Sequence, residues 1–357
     1  MSERLVSLRQ KMNEKDIEAV ILIGRPNTLY LSGFTGSTSF LFITDSEAVL
    51  VVDFRYTIQA KRQVYPGIKV LEQQEGFLKA INELIGKAGV KKVGFEGNCL
   101  TFTEYTSMKE KLTNANSFIT IGSLVDRMRM VKDEGEIQCI QEAVLLGDKV
   151  FDHIIGYIKP GVTENEIAAE MEHKMKTLGA KGPSFETIVA AGIRSAMCHG
   201  TATDNVLKAG DAIVLDFGVI YKNYCSDMTR TVFLGEPSPD LKKIYTIVKK
   251  AQQAGLDAIV AGLTGKQADA IARDIIDVEG YGKCFGHSLG HGVGLEIHEN
   301  PRLSQASEDT LDNGMVFSVE PGIYVEGIGG VRIEDMVFLS EGKVRNFTTS
   351  TKELLIL

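Results

Sequence analysis

The sequence predicts a two-domain protein, a smaller α/β unit followed by a larger α+β unit built on antiparallel strand pairs. Three observations carry this. Strand-like and helix-like stretches alternate over about 120 N-terminal residues. Near Ser123 the pattern changes to a long helical run, rich in charge at its start. The last third then holds two pairs of apolar strands, AIVLDFG with SDMTRTVFLG and GMVFSVEPGIY with VRIEDMVFL, each joined by turn-like sequence. The expected domains are 1–123 and 124–357.

In chain order, residues 3–14 carry Leu5, Leu8 and Met12 at helical spacing. Residues 18–24, 39–45 and 48–54 read as strands. FRYTIQAKRQV reads as helix, IKVLEQ as extended, and EGFLKAINELIGKAG as a helix closed by glycine. KKVGFEG, TFTEYTSMKEKL and SFITIG follow as strand, helix and strand. The run from Ser123 is expected to stay helical until Pro160-Gly161. Thr163 and Glu166 form a capping box for the next helix, which ends at Gly179. FETIVAAG and NVLKAG are strand candidates ahead of the first strand pair. Two more helical stretches, from Leu241 and Gly265, lie between the pairs. Each acid-bearing pair is preceded by helical sequence, which hints at an internal duplication.

Bulk properties exclude several classes. Of 357 residues, 44% are apolar and 24% charged, ordinary for a soluble globular chain. The net charge of −8, with no basic cluster, argues against nucleic acid as a partner. No stretch is long enough to span a bilayer, and the N-terminus reads as an amphipathic helix instead of a signal peptide. Five scattered cysteines without a CxxC pair fit free thiols in a reducing cytoplasm.

The strand pairs carry the chemistry. Asp216 and Asp227 fall on one pair, and Glu320 and Glu334 on the other, each interrupting or ending an apolar strand. A lone buried carboxylate is costly, and four cannot gather without cations to neutralise them. That is the logic of a two-metal hydrolytic site. Between the pairs lies GHSLGHGVGLEIHE, with His291 at its centre. His287 and His291 have the i, i+4 spacing of a helical zinc pair, but the dense glycines argue against a helix. The glycines would let backbone approach a ligand closely. His298 and His199 are candidates to bind or polarise a substrate. Oxygen-rich ligation with one imidazole favours Mn²⁺, Co²⁺ or Fe²⁺, and Zn²⁺ also fits. Nucleophile and phosphate-loop patterns such as GxSxG are absent.

At these residues the sequence resembles the pita-bread metallopeptidases, peptidase family M24, which include prolidase, Xaa-Pro aminopeptidase and methionine aminopeptidase. LDFG, SDMTRT, GHGVGLEIHE, VEPGIY and VRIED stand in the family's order. The N-terminal α/β unit looks like the extra domain of the prolidase and Xaa-Pro aminopeptidase branch. The resemblance implies a pita-bread (creatinase/aminopeptidase) catalytic domain and two divalent ions, Mn²⁺ foremost. Their ligands would be Asp216, Asp227, His291, Glu320 and Glu334, with Asp227 and Glu334 bridging. Glu320 would also accept a proton from the attacking water. His199 and His298 match residues that hold the substrate and steady the tetrahedral intermediate. His287 matches a gating histidine, Arg332 an arginine of the site wall, and Arg302 a basic residue near the substrate carboxylate. Cys198 departs from the pattern, since relatives often carry proline before that histidine; the departure bears on the loop's rigidity rather than on the chemistry.

The implied activity is hydrolysis, by a dinuclear-metal-activated hydroxide, of the bond between an N-terminal residue and proline in dipeptides. An Xaa-Pro aminopeptidase acting on longer peptides is the alternative, and a non-catalytic pita-bread protein the rival from another class. The resemblance also implies a homodimer.

Overall fold

The computed structural model describes residues 3–357. By internal contacts the chain forms two compact units, Met1–Arg129 and Met130–Leu357.

The first unit runs α1 (Glu3–Glu14), β1 (Ala19–Leu22), α2 (Arg25–Ser32), β2 (Phe40–Thr44), β3 (Ala48–Val52), α3 (Thr57–Gln63), β4 (Lys69–Glu72), α4 (Phe77–Ala88), β5 (Lys92–Phe95), α5 (Phe102–Lys111) and β6 (Ser117–Thr120). Helix α6 (Leu124–Met130) ends it. The six strands make one mixed sheet in the order β4-β3-β2-β1-β5-β6. Its β1 and β3 are buried along their whole length, so they read as unbroken apolar runs without alternation. Ile81, Ile85, Met108 and Leu112 of the α4 and α5 segments pack with Val93 and Phe95.

Helix α2 gives no periodic signal in the sequence. It is eight residues long with proline in its first turn, and no side chain of its own caps it. The cap comes from β5's far end, where the Glu96 carboxylate accepts from the Ile23 and Gly24 amides at 2.6 and 2.7 Å. A helix started by a tertiary contact is invisible to local rules.

The second unit begins with α7 (Glu134–Ile154) and α8 (Glu164–Thr177). Strands β7 (Gly182–Pro183), β8 (Ile188–Ala191), β9 (Ala212–Phe217), β10 (Val219–Tyr221), β11 (Tyr224–Cys225) and β12 (Met228–Phe233) follow. Next come α9 (Pro239–Ala258), α10 (Gly265–Val278), β13 (Gly290–Gly292), β14 (Glu299–Leu303), β15 (Val316–Val319), β16 (Gly322–Val325), β17 (Gly329–Arg332), β18 (Asp335–Ser340) and β19 (Lys343–Asn346). The order gives two successive halves, each a pair of helices with antiparallel strands. In the first, α7 and α8 pack on β8-β9-β12 through residues such as Phe151, Ile167, Leu215 and Val232. In the second, α9 and α10 pack against β14-β13-β15-β18-β19 and β17 through Ile244, Val248, Phe317 and Val331.

Three expectations change. The long helical run breaks at 131–133, because Asp133 and Glu136 form a capping box that starts α7 afresh. NVLKAG is not a strand: Val206 makes a single bridge to Thr163, and the segment braces the start of α8. The second acid-bearing pair is two pairings, β15 with β18 and β16 with β17 in a separate sheet. The chain changes sheet at Pro321 and again at Ile333-Glu334, so both acids lie just beyond strand ends.

Candidate metal centre and active site

The first acid pair is set by register. Asp216 on β9 stands opposite Thr229 on β12, not opposite Asp227. Strand alternation puts Asp227, Thr229 and Thr231 on one face, so Asp227 lies diagonally across from Asp216. On the second half, Val319 pairs with Asp335, which brings the neighbouring Glu320 and Glu334 side by side at the strand ends. The two halves are joined where the Glu334 amide donates to the Thr229 carbonyl at 3.1 Å.

His291 sits in β13, an extended strand, so the helical zinc-pair geometry does not arise. The glycines around it serve the sheet. A Cβ added at Gly290 would lie 2.0 Å from the Ser318 carbonyl oxygen, and one at Gly292 2.2 Å from that of Asn300. They permit neighbouring backbone to close in, where the sequence suggested approach to a ligand.

Ligand atoms of Asp227, His291 and Glu334 all lie within 4.8 Å of one another. His291 Nε2 is also 3.6 Å from Asp227 Oδ2 and 3.3 Å from Glu320 Oε1. Asp216 stands at the edge of this group, bound by Arg332 Nη2 at 2.5 Å. Glu320 accepts from Ser318 Oγ at 3.0 Å, which itself accepts from the His291 amide.

These residues fit divalent cations. Asp227 Oδ1 and Glu334 Oε1 are buried with no hydrogen-bond partner. Buried polar oxygens are otherwise almost always partnered. His291 Nδ1 lies 3.1 Å from its neighbour's carbonyl, Gly292 O. His291 Nε2, the other ring nitrogen, faces the carboxylates of Asp227 and Glu320. Glu334 is 1% exposed and Asp227 5%, too dry to hold bare charges side by side.

Proton affinities follow the same physics. Burial raises the Asp227 carboxyl well above its ordinary value, and the charges of Glu334, Asp216 and Glu320 add to it. Glu334 is raised by burial and then by Glu320 and Asp216. Burial raises Asp216 against the pull of Arg332. Burial would raise Glu320 too, but the bond and charge of His291, aided by His287, bring it down to about 2. Burial lowers His298, and the nearby charges of His291 and Arg302 lower it further.

A cavity of about 380 Å³ opens on this group. It is lined by all ten expected site residues: His199, Asp216, Asp227, His287, His291, His298, Arg302, Glu320, Arg332 and Glu334. The His298 ring meets the His291 ring edge-on at 4.4 Å. Arg302, on β14, is the cross-strand partner of His291. His287 Nε2 is 2.9 Å from the Tyr324 hydroxyl.

The sequence reading missed the groups that tie the site together. Thr229 Oγ1 donates to Glu334 Oε2 at 2.8 Å and accepts from Arg332 Nε at 3.0 Å. Arg332 Nη1 donates to the Tyr324 hydroxyl at 2.6 Å and to the Cys198 carbonyl at 3.1 Å. Period-two alternation from Asp227 would have found Thr229. Nothing local marks Tyr324.

Residues 138–341 match the model of metallopeptidase family M24, and residues 4–131 match the creatinase/prolidase N-terminal domain. The chain belongs to metallopeptidase family M24. It is 38% identical to an Xaa-Pro dipeptidase of Pyrococcus horikoshii over 99% of both chains. The fold matches a solved Xaa-Pro dipeptidase from Bacillus anthracis with a TM-score of 0.97 and 43% identity, covering 99% of each chain. An X-Pro aminopeptidase from Thermotoga maritima superposes with a TM-score of 0.92 and 40% identity, covering 99% of this chain and all (100%) of that one. Membership of M24 implies divalent metal ions at the centre described above. Among the described residues, no helix is long and apolar enough to cross a membrane.

Proposed function

We propose that this M24 chain is an Xaa-Pro dipeptidase that hydrolyses the bond between an N-terminal residue and proline, using two divalent ions. The observation that carries the reading is the pair of unpartnered buried oxygens, Asp227 Oδ1 and Glu334 Oε1, facing His291 Nε2 in a cavity with two further histidines and an arginine. The relatives named Xaa-Pro dipeptidase supply the substrate class.

Asp216, Asp227, His291, Glu320 and Glu334 would hold the ions, with Mn²⁺ the first choice for an oxygen-rich set and Co²⁺, Fe²⁺ or Zn²⁺ as substitutes. Bound there, the ions would polarise the scissile carbonyl and provide hydroxide near neutral pH. Glu320 is the proposed base. Its carboxylate accepts from Ser318 Oγ and lies 3.3 Å from His291 Nε2, where it would take the proton of the attacking water. His199 and His298 line the cavity and would donate to the oxyanion. His298 is held toward its neutral form, in which one ring nitrogen donates. His287 and Arg332 form the wall, and Arg302 would face the substrate's carboxylate. Arg332 also fixes Asp216 and the Cys198 carbonyl.

The Thermotoga neighbour titled X-Pro aminopeptidase supports a second reading, action on longer peptides. The test is hydrolysis of Xaa-Pro dipeptides against Xaa-Pro-Xaa tripeptides, after chelation and with Mn²⁺ or Co²⁺ restored. Dipeptide turnover that depends on the added metal is expected. Preference for tripeptides would transfer the name to aminopeptidase, and no metal-dependent cleavage of either would end the reading. A homodimer and a cytoplasmic location complete the proposal.

A further inference from the structure

Glu164 is 0% exposed, at the start of α8 and outside the lining of the cavity. A buried carboxylate needs donors, and all of its side-chain donors come from one segment. Oε1 accepts from the Ala191 amide at 2.8 Å, Arg194 Nε at 3.1 Å and Asn205 Nδ2 at 3.0 Å. Oε2 accepts from Arg194 Nε at 3.1 Å, the Thr203 amide at 3.0 Å and Thr203 Oγ1 at 2.7 Å. Arg194 Nη2 carries the contact on to the Thr201 carbonyl at 2.8 Å.

The carboxylate is not needed to cap the helix. Thr163 and Glu166 already form the capping box of α8. Glu164 instead fastens both arms of the loop between β8 and β9, whose crest carries Cys198 and His199 to the cavity. The loop is held from two sides: Arg332 Nη1 donates to the Cys198 carbonyl on the cavity side, and Glu164 gathers the loop's base.

We propose that Glu164 is a positioning residue for His199. It holds the 191–205 loop so that the imidazole meets the oxyanion, without touching substrate or metal itself. This rests on the Xaa-Pro hydrolase reading and deepens it. Glutamine at 164 would place an NH₂ against donors, and unpaired buried donors loosen the loop.

The test is a double-mutant cycle with Glu164→Gln and His199→Ala in the full-length, metal-loaded protein. Alone, Glu164→Gln should lower kcat on an Xaa-Pro dipeptide by about tenfold or more, with metal content unchanged, part of the roughly 10²–10³-fold value of an oxyanion donor. In the His199→Ala background it should add less than about threefold, because the two act as one unit. Equal factors in both backgrounds, or parallel loss of metal, would overturn the proposal. If Glu164→Gln does not fold, Thr203→Val removes one donor of the clamp, Thr203 Oγ1, more gently and must show the same non-additivity. Hydrogen exchange separates this from the activity itself. Amides of 191–205 should exchange faster in Glu164→Gln while α8 and β12 stay protected. If the wild type cleaves no Xaa-Pro peptide, the functional reading fails, and unchanged exchange in that loop would separately sink the clamp.

Discussion

Arg302 stands directly opposite His291 in the antiparallel pairing of β13 with β14. Directly opposite residues share a face, with Cβ atoms about 5 Å apart. The guanidinium therefore reaches the cavity next to the metal group, where a dipeptide's carboxylate would end. Arg302→Ala should lower kcat/KM for Xaa-Pro dipeptides by about ten- to a hundredfold, the value of a charge-assisted bond of roughly 1.5–3 kcal/mol. Tripeptides should change little. The check is paired kinetics on one dipeptide and its tripeptide extension; equal losses on both would remove Arg302 as the carboxylate anchor.

Asp227 and Glu334 each leave one buried oxygen without a hydrogen-bond partner. Asp227→Asn and Glu334→Gln keep size and remove that charge. Each should lose at least one metal equivalent and nearly all turnover, with far-UV circular dichroism retained. Elemental analysis beside saturating Mn²⁺ assays decides it, and near-normal activity at saturating metal would refute the two-metal site.

Thr229 links Glu334 to Arg332 through one hydroxyl. Thr229→Val preserves shape and removes both bonds. Outer partners of metal ligands are typically worth about 10–100-fold in metal affinity or activity. Metal titration by calorimetry should show a loss of that order. Unchanged affinity and kcat would make the hydroxyl merely structural.

Metal-free protein should weaken as pH rises. Asp227 and Glu334, with ordinary values of 3.8 and 4.5, are both raised well above them when folded. The folded state then binds more protons than the unfolded chain, so their stabilising contribution is complete below the ordinary range. It is lost as pH climbs through the raised values, by up to about 1.4 kcal/mol per pH unit for each group. Glu320, lowered to about 2, is already ionised in both states over this window and does not offset the trend. Melting of chelator-treated protein from about pH 5 to 8 should show a falling Tm that Mn²⁺ largely abolishes, since ligand binding stabilises the folded state. A Tm that rises with pH without metal would contradict the buried-acid geometry.

The sequence by itself marked the acids, the histidines and the apolar runs beside them. Asp216, Asp227, Glu320 and Glu334 each sit at a break in an apolar run, and a charge in such a place is legible from one dimension. The capping box at Thr163 and Glu166 was equally local. Tertiary structure alone decided how these pieces meet. Register, set by the hairpin inserted between β9 and β12, placed Thr229 and not Asp227 opposite Asp216. The split of the second pair at Pro321 put Tyr324 where it could join His287 to Arg332. Helix α2 needed the Glu96 carboxylate from beyond β5, and the His199 loop needed Glu164 from α8. Each of these depends on a buried polar group finding a partner far along the chain. Local pattern cannot report that, because burial, which makes the partner obligatory, exists only once the chain has folded.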